Sequence, residues 1–135
     1  MAWPSPRFVV GTGVGTTDQC VTDTLTGLMW VRAPSAVVST WENALTSANG
    51  LTLCGFSDWR LPNVNELESL VNSEVSDQAA FLNTQGSSNV QVSFYWSSTS
   101  FTGPTHAWLI FMGGGGVGTN AKTNSRFVWP ARAGQ

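Results

Sequence analysis

Charge is scarce in this chain of 135 residues: Lys, Arg, Asp and Glu together make up 10% of it, and histidine occurs once, as His106. A net charge of −2 excludes the broad basic footprint of a nucleic-acid-binding protein, so no nucleic-acid partner is expected. No apolar run is long enough to span a bilayer, so membrane insertion is not expected either. The opening MAWPSPRF lacks the basic stretch followed by an apolar core that marks a secretion signal.

Cysteine is nearly absent, with Cys20 and Cys54 the only two. Neither a C-x-x-C pair nor zinc-type spacing is present, and no metal site or cofactor is expected. Each cysteine stands at the edge of a predicted element. They can pair across the intervening loop, a link the chain-entropy model values at roughly 3.5–4 kcal/mol. The alternative is two buried thiols in a reducing compartment.

Groups for acid–base or nucleophilic chemistry are equally thin. His106 has no evident nucleophile to serve, and no nucleophile, base and orienting group can be assembled, so the chain reads as a non-enzyme. Asp58 and Arg60 read as an ion pair that fixes the WRLP loop rather than as an acid and an anion anchor. The glycine spacing from Gly11 to Gly15 lacks a following helix and is not a phosphate cradle. Calcium needs six to eight oxygen ligands, and no acid occurs after residue 98.

What the chain does have is aromatic bulk: seven Trp and seven Phe. Burying one such side chain removes roughly 150–250 Å² from water, an upper bound of roughly 4–6 kcal/mol, so most of them are assigned to the core. The length suits one domain over residues 1–135. Pro62 pushes Leu61 to an extended conformation, after which Asn63 and Glu66 have capping-box spacing and Val64, Leu67, Leu70 and Val71 share a helix face. Ser39 and Glu42 have the same spacing ahead of Trp41, Ala44, Leu45 and Ala48, with Gly50 as a stop. Strands are expected at Phe8 to Val10, Cys20 to Asp23, Leu28 to Val31, Phe94 to Ser97, Ala107 to Met112 and Phe127 to Ala131. The expectation is an α+β fold with two short helices and one small, mostly antiparallel twisted sheet.

The succession TDTLTGLMWVR (Thr22 to Arg32), SDWRLPN within Ser39 to Asn72, YWSSTS (Tyr95 to Ser100), HAW (His106 to Trp108) and VWPAR (Val128 to Arg132) resembles the C-terminal domain family of the Legionella collagen-like adhesin. That resemblance implies a C-type-lectin-like fold that binds a protein or glycan ligand at the cell surface, outside the cell or on a virion. The family includes fixed adhesins and also variable proteins diversified by retroelements, in which mutation at template adenines alters chosen residues near the C-terminus.

The second kind is the one this chain resembles, with a variable region at about 99–127. Asn120 and Asn124 stand where unmutated members carry Asn. Around them, Gly113, Gly114, Gly116, Gly118, Thr119, Ala121, Thr123, Ser125 and Arg126 are all reachable from an AAC codon by changing its adenines, and Thr105, His106, Leu109 and Phe111 complete the expected ligand-binding set. Trp108, Met112 and Lys122 are not reachable, and fall where the family pattern is fixed. A fixed adhesin-type domain, binding sulfated polysaccharide through Lys122, Arg126 and Arg132, is the alternative.

Strand alternation places Trp108, Ile110 and Met112 on one face and Leu109 and Phe111 on the other. The first set suits the core, so Leu109 and Phe111 are expected on the ligand side. The alternative is a sheet buried on both sides. Trp129 is open between packing and contact, and the run Gly113 to Gly118 between a hairpin that needs positive φ and a surface whose side chains were erased.

Overall fold

The computed structural model describes residues 7–11, 19–35 and 37–133; the MAWPSP opening and most of the Gly11 to Gly15 spacing lie outside them. Four strands, β1 (Phe8–Val10), β2 (Cys20–Asp23), β3 (Leu28–Val31) and β7 (Ala131–Ala133), form one antiparallel sheet in the order β1-β2-β3-β7. β4 (Phe94–Ser100), β5 (His106–Phe111) and β6 (Val117–Ala121) form a second. The helices are α1 (Trp41–Asn49), α2 (Val64–Glu68) and α3 (Gln78–Leu82). The fold is α+β and compatible with a C-type-lectin-like architecture, with three helices and two sheets among the described residues where two helices and one sheet were expected.

Local chemistry explains these elements. Asn63 caps α2, its Oδ1 accepting from Glu66 N at 2.8 Å while Asn63 N donates to Glu66 Oε1 at 2.9 Å, the expected capping box. The expected box on α1 does not form. Thr40 is its N-cap and makes no side-chain bond. Ser39 is instead drawn into a β-bridge with Arg126, and Trp41 N donates to the Lys122 carbonyl at 3.0 Å, so a distant backbone oxygen satisfies an orphan amide of the first turn. α3, five residues long like α2, has Ala80 at the position where α2 has Glu66, so it shows no capping-box spacing. Asp77 caps it, and the Gly113 and Met112 carbonyls accept from Gln78 N and Ala79 N.

β7 begins where the expected Phe127 to Ala131 strand ends. Phe127 pairs with Tyr95 of the second sheet, whereas Ala131 pairs with Trp30 of the first and with Arg60. The chain changes sheets between them, at Trp129 and Pro130. Trp129 is 1% exposed, stacks edge-on against Trp30 at 5.4 Å, and donates Nε1 to the Val31 carbonyl at 2.6 Å. It is a packing residue. Trp59, Tyr95, Leu67, Leu70, Ile110 and Met112 belong to the same core. A second cluster joins Ala44 and Ala48 of α1 to Leu61, Trp96, Ala107, Leu109 and Val128.

Two findings concern ions. Asp58 does not pair with Arg60: Arg132 holds Asp58 through Nε and Nη2 at 2.5 and 3.0 Å, while Arg60 holds Glu66 at 2.6 and 2.7 Å. The cause is the bridge between Arg60 and Ala131, which leaves the Arg60 guanidinium at the start of α2 and brings the next residue, Arg132, to Asp58. A buried pair also closes the first sheet, where Arg7 binds Asp23 through Nε at 2.7 Å and Nη2 at 2.5 Å and donates to the Ser69 carbonyl beyond α2. Burial alone pushes the Asp23 carboxyl up, but Arg7, the Leu25 amide and the Thr26 hydroxyl outweigh it and hold its pKa below the ordinary value.

Cys20 and Cys54 form a disulfide, with Cα atoms 6.6 Å apart, linking β2 to the loop after α1. Reducing it is expected to lower unfolding free energy by roughly 3–4 kcal/mol, read from urea melts with and without reductant. Because the folded Asp23 pKa is depressed, its stabilisation is complete above the unfolded value of about 3.9 and is lost as pH falls through the folded one. Stability measured across that acid range should fall, and Asp23→Asn should flatten that part of the profile.

Candidate functional site

The second sheet carries most of the residues the sequence singled out, and register decides which way each one points. Leu109 pairs with Trp96 and Gly118, Ala107 with Asn120, and Phe111 with Phe94, so these share one face. Ile110 pairs with Tyr95 and Val117, Trp108 with Thr119, and His106 with Ala121, so these share the other. Helix α1 covers the middle of the first face, and Leu67 and Leu70 lie with Ile110 and Met112 on the second. The sheet is therefore buried on both sides over its central part.

Leu109 is the clearest correction. Expected on the ligand side, it is 3% exposed and packed in the cluster with Ala44, Ala48 and Trp96. The short side chains of α1 are the reason, because alanines let the helix approach the sheet closely enough to bury that face. Phe111 lies at the end of the same row and is half-buried, its ring 5.0 Å from that of Phe94. Gly113 is buried as well, and a Cβ there would meet the Phe111 ring at 2.3 Å.

What remains accessible is a rim built on the edge strand β6 and the turn that follows it. Thr123, Asn124 and Ser125 are exposed, and Gly118, Thr119, Asn120, Ala121 and Arg126 are half-exposed. Asn120 Oδ1 accepts from both Asn124 Nδ2 at 2.7 Å and Arg126 Nε at 3.0 Å. The Arg126 guanidinium also lies 5.1 Å from the Phe94 ring, so it bridges the two outer strands of the sheet. The result is a small polar cluster flanked by the Phe94–Phe111 pair. Phe94, 36% exposed, was not among the expected contacts, although its pairing with Phe111 follows once the register is known.

The opposite face has its own accessible end. Phe101, 40% exposed, packs edge-on against Trp108 at 5.3 Å, beside Thr119, and the exposed Thr105 hydroxyl lies 2.8 Å from His106 Nδ1. The expected ligand set thus divides between two faces. Thr119, Ala121, Thr105 and His106 look one way, and Phe111, Gly118 and Asn120 the other.

The glycines separate into two kinds. Gly115 has φ +85° and a Cβ there would lie 2.7 Å from Val71, so the fold requires glycine at that turn. Gly114 and Gly116 have open space and no positive φ, and Gly118 would meet only Leu109 at an ordinary 3.8 Å. Nothing in the backbone or packing demands glycine at those three positions. The hairpin reading, with its need for positive φ, therefore holds at Gly115, while Gly114, Gly116 and Gly118 have room for a side chain.

Cations near the rim are already engaged. Lys122 Nζ sits 4.2 Å from the Trp41 ring centre and donates to Ser100 Oγ at 3.0 Å. Arg132 is 4% exposed, bound to Asp58 and stacked 3.7 Å from the Phe56 ring, so it is a core-edge residue and not part of this surface. Among the described residues no three His, Cys, Asp or Glu side chains converge as a metal would need.

Residues 19–132 fit the model of the Lcl C-terminal domain family, a range that takes in the second sheet, all three helices, the whole rim and, of the first sheet, β2, β3 and most of β7. No curated protein matches the chain.

The geometry makes an ordered prediction. Leu109→Ala should cost about 2–5 kcal/mol by cavity formation, and Gly115→Ala should be clearly destabilising through its positive φ and the Val71 contact. Gly118→Ser should change stability by less than about 0.5 kcal/mol. Chemical denaturation of the three variants checks the order.

Proposed function

Because the chain belongs to the Lcl C-terminal domain family, a family of adhesin-like, ligand-binding domains, we propose that it is a non-catalytic receptor-type domain. Its β6 rim binds a protein or glycan outside the cell, at a cell surface or on a virion, and is diversified by a retroelement. The observation that carries this reading is the accessible rim on a heavily packed interior. Gly114, Gly116 and Gly118 tolerate side chains, and Thr123, Asn124 and Ser125 point into solvent, while the tryptophans that hold the fold lie elsewhere. The variable set is reduced accordingly: Leu109 leaves it because altering it disturbs the core, and Gly113 because a side chain there would collide with the Phe111 ring.

Two further features agree with this assignment. Trp108, Met112 and Lys122, the residues outside the reach of adenine mutagenesis, contribute an aromatic contact, a core side chain and an ammonium held over the Trp41 ring. The Cys20–Cys54 disulfide suits an oxidising, extracellular compartment, and among the described residues no helix is long and apolar enough to cross a membrane.

The fixed-adhesin alternative now rests on Lys122 and Arg126, since Arg132 is committed to Asp58. Two experiments separate the readings. A library randomised at Gly114, Gly116, Gly118, Asn120, Thr123, Asn124 and Ser125 should keep melting temperatures close to that of the parent; widespread unfolding would sink the proposal. At the gene, a near-copy of the Tyr95 to Gln135 coding segment, differing at adenines and beside a reverse transcriptase, is expected. Its absence, together with salt-sensitive heparin binding, would favour the fixed adhesin.

A further inference from the structure

Strand β6 is the outer strand of its sheet, and the phase of its hydrogen bonds shows which main-chain groups face away from β5. Phe111 N donates to the Gly116 carbonyl at 2.9 Å and Lys122 N to the Thr105 carbonyl at 2.8 Å, at the two ends of a β5–β6 register that runs without a bulge. Antiparallel alternation then turns the main-chain groups of Gly118 and Asn120 toward β5, and those of Val117, Thr119 and Ala121 outward. The Ala121 carbonyl accepts from Asn124 N at 2.9 Å. Among the described residues, nothing bonds to the outward groups of Val117 and Thr119. We propose that β6 pairs with an extended, acidic segment of a protein partner, which adds an antiparallel strand to this sheet. This rests on the β6 rim being the binding surface and names what occupies it.

The opposite edge of the same sheet is closed. Trp96 N donates to the Phe127 carbonyl at 2.9 Å, Phe127 N to the Phe94 carbonyl at 3.0 Å and Ser98 N to the Pro62 carbonyl at 2.7 Å. Natural proteins blunt an open edge with proline, charge or a bulge, and β6, of sequence VGTNA, has none of the three. Val117 and Thr119 can each exchange a pair of hydrogen bonds with a facing residue, and Ala121 N can donate one more. An extended backbone carries its donors and acceptors at the same two-residue spacing, roughly 6.8 Å. Because these are main-chain groups, replacing side chains along the rim leaves them in place.

Side chains fix the sign of the partner. Residues 94–131 contain no Asp or Glu, and Lys122 and Arg126, the Lys and Arg of that stretch, have no carboxylate partner among the described residues. Their contacts are to neutral groups: Lys122 Nζ to Ser100 Oγ and the Trp41 ring, Arg126 to Asn120 Oδ1 and the Phe94 ring. Both lie at the end of β6 where an antiparallel partner strand begins, on the face of Asn120. Carboxylates opposite Asn120 and Lys122 would meet these charges. Residues opposite Thr119 and Val117 fall on the other face, with Trp108 and the exposed Phe101, where apolar side chains suit.

The test uses the intact disulfide-bonded protein and the capped peptide acetyl-Glu-Thr-Glu-Val-Thr-Val-Thr-amide. Amide titration is expected to give saturable shifts at Val117, Thr119 and Ala121 with a Kd on the order of 1 mM, and about six-fold slower solvent exchange of those amides at peptide about five times Kd. Methylating the valine nitrogens, which face β6, should abolish saturation. Methylating instead the nitrogens of the threonines that follow them, which face away, should change Kd by less than about two-fold. Lysine in place of both glutamates should weaken binding at least about five-fold. Thr119→Pro, which removes an outward N–H and leaves the β5 ladder intact, should abolish saturation in folded protein. Equal binding of the two methylated peptides, no saturable shift, or β6 amides already protected in a dimer of the free chain would each overturn the inference. A heparin tetrasaccharide that shifts the rim where the peptide does not would overturn it while leaving the rim as the binding surface; unfolding of the randomised library would instead remove that surface.

Discussion

The passage of the chain between sheets at Trp129 is the constraint on which the rest of the structure depends. Five residues, Phe127 to Ala131, pair first with β4 and then with β3 and Arg60, so this one segment joins both sheets by backbone hydrogen bonds. Trp129 sits at the crossing, among Trp30, Tyr95 and the Val31 carbonyl. Burial of so large an aromatic contributes several kcal/mol before entropy is counted. Arg132 and Asp58 then hold the end of the segment in place.

This anchoring explains how a surface can vary directly beside a core. The rim ends at Arg126 and the crossing begins at Phe127. Changes at Thr123 to Ser125 therefore meet solvent on one side and a pinned segment on the other. α1 is coupled to the same place, through Lys122, whose carbonyl caps it, and through Ser39, whose backbone pairs with Arg126. These contacts involve main-chain atoms, so side chains along the rim can change without breaking them. Leu109 marks the limit of that freedom: one residue from Trp108 along β5, it belongs to a core cluster and cannot be replaced cheaply.

Much of this was legible in the sequence, for physical reasons that differ by element. The α2 capping box, the first three strands, the disulfide and the aromatic interior follow from local spacing and from the energetics of burial. α3 was not legible because, unlike the equally short α2, it has no capping-box spacing and distant carbonyls take its first amides. β6 was hidden by Gly118 and by the glycine run that precedes it. The face of Leu109 could not be read either, because alternation distinguishes two faces but not whether a helix covers both. Nor could the partner of Asp58, since Arg60 and Arg132 lie far apart in the chain and only the Arg60–Ala131 bridge decides between them.

Native-state hydrogen exchange tests the separation of anchored segment and accessible rim most directly. The account predicts that the amides of Arg60, Trp96, Phe127 and Ala131, all bonded across the crossing, exchange only through global unfolding, while those of Thr119 and Thr123 exchange by local opening. It further predicts that substitutions at Thr123 or Asn124 leave the first group unchanged. Equal protection in both groups, or loss of Ala131 protection on changing Asn124, would contradict it.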